Sequence, residues 1–305
     1  MKTIGFVGLG KMGLNMTARL IKKGWTVVAY ARRQSSRKKA SKVGAIAAKS
    51  LADLAIKVPA PRIIWLMIPA GKAVDSVITA LLPHLSQGDV IVDGGNSFYE
   101  DSIKRAKSLA KKGVFFVDAG VSGGIKGARE GASIGVGCEK RAFVRIKPVL
   151  EALSAKDGFA HLGGPGTGHF VKMVHNAIEY CLLEGYGEGY QLLAVSRPKI
   201  DLRKVTKLWR NGSVIRSWLL DLLQEALEED PKLSRISGIV CGGTTGKWAI
   251  NSAKRFGISL PSVRLAIRQR YRSRKKPNFA SKVVAIIRHK FGGHKIPRMG
   301  ERCEE

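Results

Sequence analysis

Acidic residues are scarce in this 305-residue chain: 23 Asp and Glu stand against 53 Lys and Arg, a formal net charge of +30. None precedes Asp53, and residues 231–300 contain none at all. A field of that sign attracts anions, whether phosphorylated metabolites, nucleotides or nucleic acid. Aromatic residues make up only 7%, and the basic residues are spread through periodic helical segments. A non-catalytic nucleic-acid-binding protein would set stacking aromatics beside its charges, so nucleic acid is not the expected partner. Cys138, Cys181, Cys241 and Cys303 are scattered, with no CxxC pair. Neither a disulfide framework nor a structural zinc site is expected, and a reducing cytoplasm is the expected compartment. No apolar run approaches the roughly 20 residues of a membrane span. The first strand pattern begins at Thr3, which leaves no room for a signal peptide.

What is present is a globular composition. Hydrophobic residues are 45%, enough to build cores, and the length suggests two domains. Strand-like apolar runs occupy 3–8, 25–30, 62–68, 89–93 and 114–118. Segments of helical spacing lie between them, near 13–23, 71–82 and 99–112. This alternation predicts a parallel sheet covered on both faces. After Gly163-Gly164-Pro165-Gly166 the chain shows long helical stretches broken by Pro198, Pro231, Pro261 and Pro277. The expected architecture is α/β: a Rossmann-like, doubly wound dinucleotide-binding domain over 1–164, then an all-α substrate and dimerisation domain over 165–305.

Gly8-Leu9-Gly10-Lys11-Met12-Gly13 is a G-x-G-x-x-G between the first strand and first helix. Gly8 permits the tight turn, and Gly10 lets the backbone approach a pyrophosphate held at the helix N-terminus. NAD-binding units usually carry an acid at the end of the second strand for the ribose 2′-hydroxyl. Here that end reads Tyr30-Ala31-Arg32-Arg33-Gln34, followed by Arg37, Lys38 and Lys39. Guanidinium groups suit a 2′-phosphate. NADP is therefore expected over NAD, with Arg32 as main contact and Arg33 in support; solvated surface arginines are the alternative.

In the first long helix after the α/β part, Lys172, His175, Asn176, Glu179 and Tyr180 fall within an arc of roughly 140°. Lys172 and Glu179, seven apart, sit nearly in line, about 10 Å apart along the axis. One face thus offers a base and an acid. The flanking Phe170, Val171, Met173, Val174, Ala177 and Ile178 predict a mostly buried helix, in which a polar stripe needs partners or a cleft. An ordinary charged face is the plainer alternative.

Gly168 to Tyr180 resembles the signature of the decarboxylating 6-phosphogluconate dehydrogenases, and three further stretches agree: Asp93-Gly94-Gly95-Asn96-Ser97, Val121-Ser122-Gly123-Gly124 and Phe291-Gly292-Gly293-His294. The likeness runs in order through nearly the whole chain. It is strongest to the short branch of that family, as Trp209 to Trp218 and Phe279-Ala280-Ser281-Lys282-Val283 suggest. The resemblance implies that Lys172 is the general base on the substrate 3-hydroxyl as hydride passes to the nicotinamide. The β-keto acid then loses CO2, and Glu179 protonates C1 of the enediol to release ribulose 5-phosphate. No metal is implied. Asn176 and His175 would hold hydroxyls and carboxylate. Asn96, Ser122, Gly123 and Gly124 would bind substrate, with Asn96 also orienting the nicotinamide. Tyr180, Arg270, Arg288 and His294 would hold the phosphate, although the dense run from Arg268 to Arg274 leaves room for a two-residue slip in register. The implied assembly is a homodimer or higher homo-oligomer, with Arg288 and His294 reaching the site of a second copy. Two places depart from the pattern: Ile125 where an acid is usual, and Cys241 to Lys247 where longer members carry a phosphate-binding lysine. The rival of the same class is a 3-hydroxyisobutyrate-like β-hydroxyacid dehydrogenase acting on a small unphosphorylated acid.

Overall fold

The computed structural model describes residues 2–298, 300, 301 and 303. The chain runs β1 (Thr3–Val7), α1 (Lys11–Lys22), β2 (Thr26–Tyr30), α2 (Gln34–Lys42), β3 (Ile46–Ala47), α3 (Leu51–Lys57), β4 (Ile63–Leu66), α4 (Lys72–Leu81), β5 (Val90–Asp93), α5 (Tyr99–Ala110), β6 (Phe115–Ser122), α6 (Gly124–Glu130), β7 (Ala132–Gly137), α7 (Lys140–Leu153) and β8 (Ser154–Gly163). Helices follow: α8 (Thr167–Val195), α9 (Leu202–Trp209), α10 (Trp218–Glu229), α11 (Thr244–Arg255), α12 (Pro261–Ser273) and α13 (Phe279–Gly292). It divides into two compact units, Met1–Lys172 and Met173–Glu305, so α8 belongs to both. None of the helices is long and apolar enough among the described residues to cross a membrane.

The first unit holds one eight-stranded sheet in the order β3-β2-β1-β4-β5-β6-β7-β8. Its pairs are parallel except β6 with β7. Alternation along β4 explains the two-sided cover. Trp65 packs with Ile4, Phe6, Met16 and Leu20 in one cluster, whereas Ile64 and Leu66 pack with Leu54, Val74 and Leu81 in another. Each such buried side chain contributes about 1.5–3 kcal/mol. The doubly wound α/β expectation is met.

Three strands escape the sequence reading. β3 has two residues. β7 reads Ala-Ser-Ile-Gly-Val-Gly, without an apolar run, and β8 is a largely exposed, polar edge strand. Both lie beyond the parallel core, where one-sided burial removes the need for continuous hydrophobicity.

In the second unit, α13 packs along α10, joining Leu220, Leu223 and Leu227 to Val283 and Ile287. Cys241 and Cys303 form a disulfide, with Cα atoms 5.3 Å apart. This corrects the expectation of a chain without cystine links. The partners are 62 residues apart in sequence, so no short spacing announces them. The tail meets the 237–241 loop because Ser237 Oγ also donates to the Pro297 carbonyl, at 2.6 Å.

Candidate active site

At the β1–α1 turn, Gly8 has φ +99°, and a Cβ there would lie 2.2 Å from the Met67 carbonyl oxygen. A Cβ on Gly13 would lie 2.0 Å from the Gly8 carbonyl. Only glycine allows this turn to close against β4 and α1 to press upon it. Gly10 differs: nothing lies within 4 Å of its missing Cβ, so its side is open for a ligand. The first turn of α1 contains no acid, and its positive end faces no opposing charge of its own. Leu9 is buried and Met12 packs on the core, while Lys11 is exposed. A dinucleotide pyrophosphate fits this cradle. Just past β2, Arg32 and Arg33 are exposed, and Arg37 folds back to donate to the Ala31 and Arg32 carbonyls at 2.6 and 3.1 Å.

Further along the carboxyl edge of the same sheet, two buried aspartates stand at partner positions of β5 and β6, Asp93 and Asp118. Asp93 accepts from the Gly95 N–H at 3.1 Å and the Ser97 hydroxyl at 2.7 Å. These bonds shape the turn that exposes Asn96. Ser122 ends β6, and Gly123 and Gly124 follow with φ +113° and +57°. Lys172 is half-buried at the end of this unit.

Along α8, Met173 and Ala177 are buried, but Val171, Val174 and Ile178 are 46%, 40% and 57% exposed. The expectation of a mostly buried helix is corrected: α8 buries one side and leaves an apolar stripe uncovered. His175 is exposed and pairs with the Asn176 Oδ1 at 3.1 Å. Glu179 is half-buried.

Beside Glu179 the second unit gathers an unusual set of cations. Arg270 and Arg288 are only 2% and 8% exposed. The Arg270 guanidinium lies over the Tyr180 ring, 3.4 Å from its centroid. Its Nη1 and Nη2 have no hydrogen-bond partner among the described residues. Burial pushes the Arg288 pKa down, and the like charge of Arg270 adds to the shift. Glu179 and Tyr180 act on both guanidiniums in the opposite direction. Two buried guanidiniums side by side are costly unless an anion joins them. Of the dense run on α12, Arg268 and Arg272 are exposed, and Arg274 is spent on the Gly242 carbonyl at 3.0 Å. Arg288 on α13 and Arg270 on α12 influence each other's charge within one chain. His294 is exposed, with its ring edge-on to Phe291 at 5.8 Å.

Residues 3–163 match the NAD binding domain of 6-phosphogluconate dehydrogenase, and residues 168–198 match the C-terminal domain of that enzyme. The chain belongs to the 6-phosphogluconate dehydrogenase family. The NAD(+)-dependent, decarboxylating 6-phosphogluconate dehydrogenase of Haloferax volcanii is 41% identical over 297 residues, 97% of this chain and 98% of that one. The Plasmodium falciparum 6-phosphogluconate dehydrogenase, solved apo, with its cofactor NADP+ and with its substrate 6-phosphogluconate, is 32% identical with a TM-score of 0.79. The likeness covers 89% of this chain but 62% of that longer one. Mycobacterium tuberculosis 3-hydroxyisobutyrate dehydrogenase, 20% identical over 94% of this chain and 99% of its own, shares the fold with a TM-score of 0.76.

In this 6-phosphogluconate dehydrogenase family member, Asp93 and Asp118 are buried and Glu184 half-buried, three acids that spacing alone did not single out. Burial and the neighbouring Glu188 charge push Glu184 up to about 7, against the pull of Arg270. Glu184 lines a cavity of about 200 Å³ together with Glu188, Gln191, Arg270, Arg272 and Lys276. A carboxyl held above its usual value of 4.5 keeps its proton longer folded than unfolded. Stability therefore falls as pH rises from the ordinary glutamate range to about 7. Glu184→Gln should raise Tm at pH 8 and leave it nearly unchanged at pH 4, by thermal denaturation. An equal shift at both values would contradict the raised pKa.

Proposed function

We propose that this protein oxidatively decarboxylates 6-phosphogluconate to ribulose 5-phosphate and CO2. The observation that carries the reading is the pair of buried guanidiniums, Arg270 and Arg288, beside Tyr180 and Glu179 on the helix that also bears Lys172. The single carboxylate of a small unphosphorylated hydroxy acid is needed at the end of the site that carries Lys172 and leaves no second anion for that pair, whereas a terminal phosphate supplies one. Lys172 and Tyr180 are eight residues apart, about 12 Å along the helix axis, a span suited to a six-carbon acid with a terminal phosphate.

Residues 1–164 would hold the dinucleotide and 165–305 the substrate. Gly8 to Gly13 would hold the pyrophosphate, Arg32 and Arg33 the 2′-phosphate of NADP, and Asn96 the nicotinamide end. The bound dinucleotide supplies the two-electron acceptor. Lys172 Nζ, neutral at the start, takes the proton of the 3-hydroxyl. Protonated, it stabilises the new carbonyl oxygen and gives its proton to that oxygen as the carbon–carboxylate bond breaks. Glu179 then protonates C1 of the product while Lys172 recovers the proton from oxygen. His175, Asn176 and Ser122-Gly123-Gly124 would orient the hydroxyls and carboxylate, and His294 would add to the phosphate contacts. The uncovered stripe of Val171, Val174, Ile178, Leu182, Leu192 and Val195 on α8 supports a homodimer or higher homo-oligomer.

The decisive assay follows reduced dinucleotide and CO2 with 6-phosphogluconate, against 3-hydroxyisobutyrate as control. Turnover of the control alone would overturn the reading. For the cofactor, Arg32→Ala should raise the KM for NADP much more than that for NAD, because a lost charged hydrogen bond costs about 1.5–3 kcal/mol, roughly 10- to 150-fold. Equal changes for both dinucleotides would remove Arg32 from the 2′-phosphate.

A further inference from the structure

We propose that Asp118 and Gly120 are positioning residues for Lys172: the buried carboxylate bolts the first turn of α8 to β6, and the bare backbone at Gly120 sets how deep the lysine sits. This rests on the reading of Lys172 as the base.

Asp118 is fully buried at the end of the β5–β6 ladder. Its Oδ1 accepts the Gly166 N–H at 2.6 Å and its Oδ2 the His169 N–H at 2.8 Å. Both donors belong to the start of α8, whose early N–H groups have no partner within the helix. Burial raises the Asp118 pKa against the lowering effect of those bonds, so the group is held at an electrostatic cost. A second tie lies one turn along: His169 is buried, and its Nδ1 pairs with the Ser102 hydroxyl of α5 at 2.7 Å.

These ties draw two backbones unusually close. A Cβ on Gly168 would lie 2.3 Å from the Asp118 carbonyl oxygen. A Cβ on Gly120 would lie 2.6 Å from the Gly168 carbonyl and 2.6 Å from the Lys172 Cβ. No other residue type fits at either place without moving the helix. The Gly120 backbone is not in a left-handed conformation; the requirement is proximity alone. Gly120 lies two residues before Ser122, so the same close contact sets the lysine against the Ser122-Gly123-Gly124 turn at the sheet edge.

The test compares Asp118→Asn and Gly120→Ala with the parent chain and with Lys172→Met. Asparagine leaves one acceptor and faces the second N–H with a donor, while alanine at 120 removes no hydrogen bond. Both should lower kcat about 100-fold, the cost of an ångström-scale misplacement, with the KM for the dinucleotide unchanged. Independently of any substrate, the pH dependence of Lys172 acetylation by acetic anhydride, read by peptide mass spectrometry, should shift in both variants. If Asp118→Asn fails to fold, Gly120→Ala decides. Unchanged kcat and unchanged labelling in folded Gly120→Ala would overturn the proposal, as would a kcat loss matched by an equal rise in dinucleotide KM. Near-normal turnover of Lys172→Met would instead sink the reading of Lys172, while the labelling shift would still report its placement.

Discussion

A Lys172→Met chain is expected to lose both oxidation and decarboxylation. In the proposed mechanism the lysine is base toward the hydroxyl and acid toward the new carbonyl, so its removal would strike two steps. General acid–base groups contribute about 10²–10⁴-fold each way, and the upper end is expected here. Methionine keeps the length of the side chain, so the dinucleotide KM should not change. Glu179→Gln separates the second half of the reaction. Its release of ribulose 5-phosphate should slow, and solvent hydrogen should no longer exchange into C1 of the product when NMR follows it. Retained exchange in Glu179→Gln would transfer the final protonation to another group.

Arg270→Met should raise the KM for 6-phosphogluconate by a large factor and stabilise the empty protein. Truncating one member of a buried, hydrogen-bonded charge pair costs about 2–5 kcal/mol, roughly 30- to 5,000-fold in affinity. Without an anion the sign reverses. Arg270 and Arg288 are buried like charges, each disfavoured by desolvation, and an apolar replacement of similar volume removes the repulsion. The Tm of the empty variant should therefore rise, and inorganic phosphate, which should raise the parent's Tm, should lose most of that effect. A purely structural Arg270, stacked on Tyr180 for packing alone, would give a lower Tm and an unchanged KM.

The cofactor turn was legible because its chemistry is local. Gly8, Gly10 and Gly13 act within one turn, and their spacing states the geometry that the Met67 and Gly8 carbonyls then enforce. The five core strands were legible for a related reason: a strand buried on both faces must be apolar throughout. The edge strand β8 and its neighbour β7 carry no such demand. The apolar positions of α8 were misjudged as burial because hydrophobicity records what a face needs to cover. It does not say whether its own chain covers it, and Val174 and Ile178 remain exposed.

By itself, the sequence determined the fold class, the dinucleotide turn, the absence of an acid after β2 and the identity of the polar residues along α8, since each depends on spacing within one element. Tertiary structure alone decided which arginine of the α12 run is buried, that Arg288 joins it within the same chain, that Cys241 and Cys303 meet, and that Asp118 holds the helix of Lys172. Those are contacts between separate segments of the chain. Helical period places Arg270 on a face without saying what that face meets, and a carboxylate at a strand end reads as solvated until the helix start that buries it is in place.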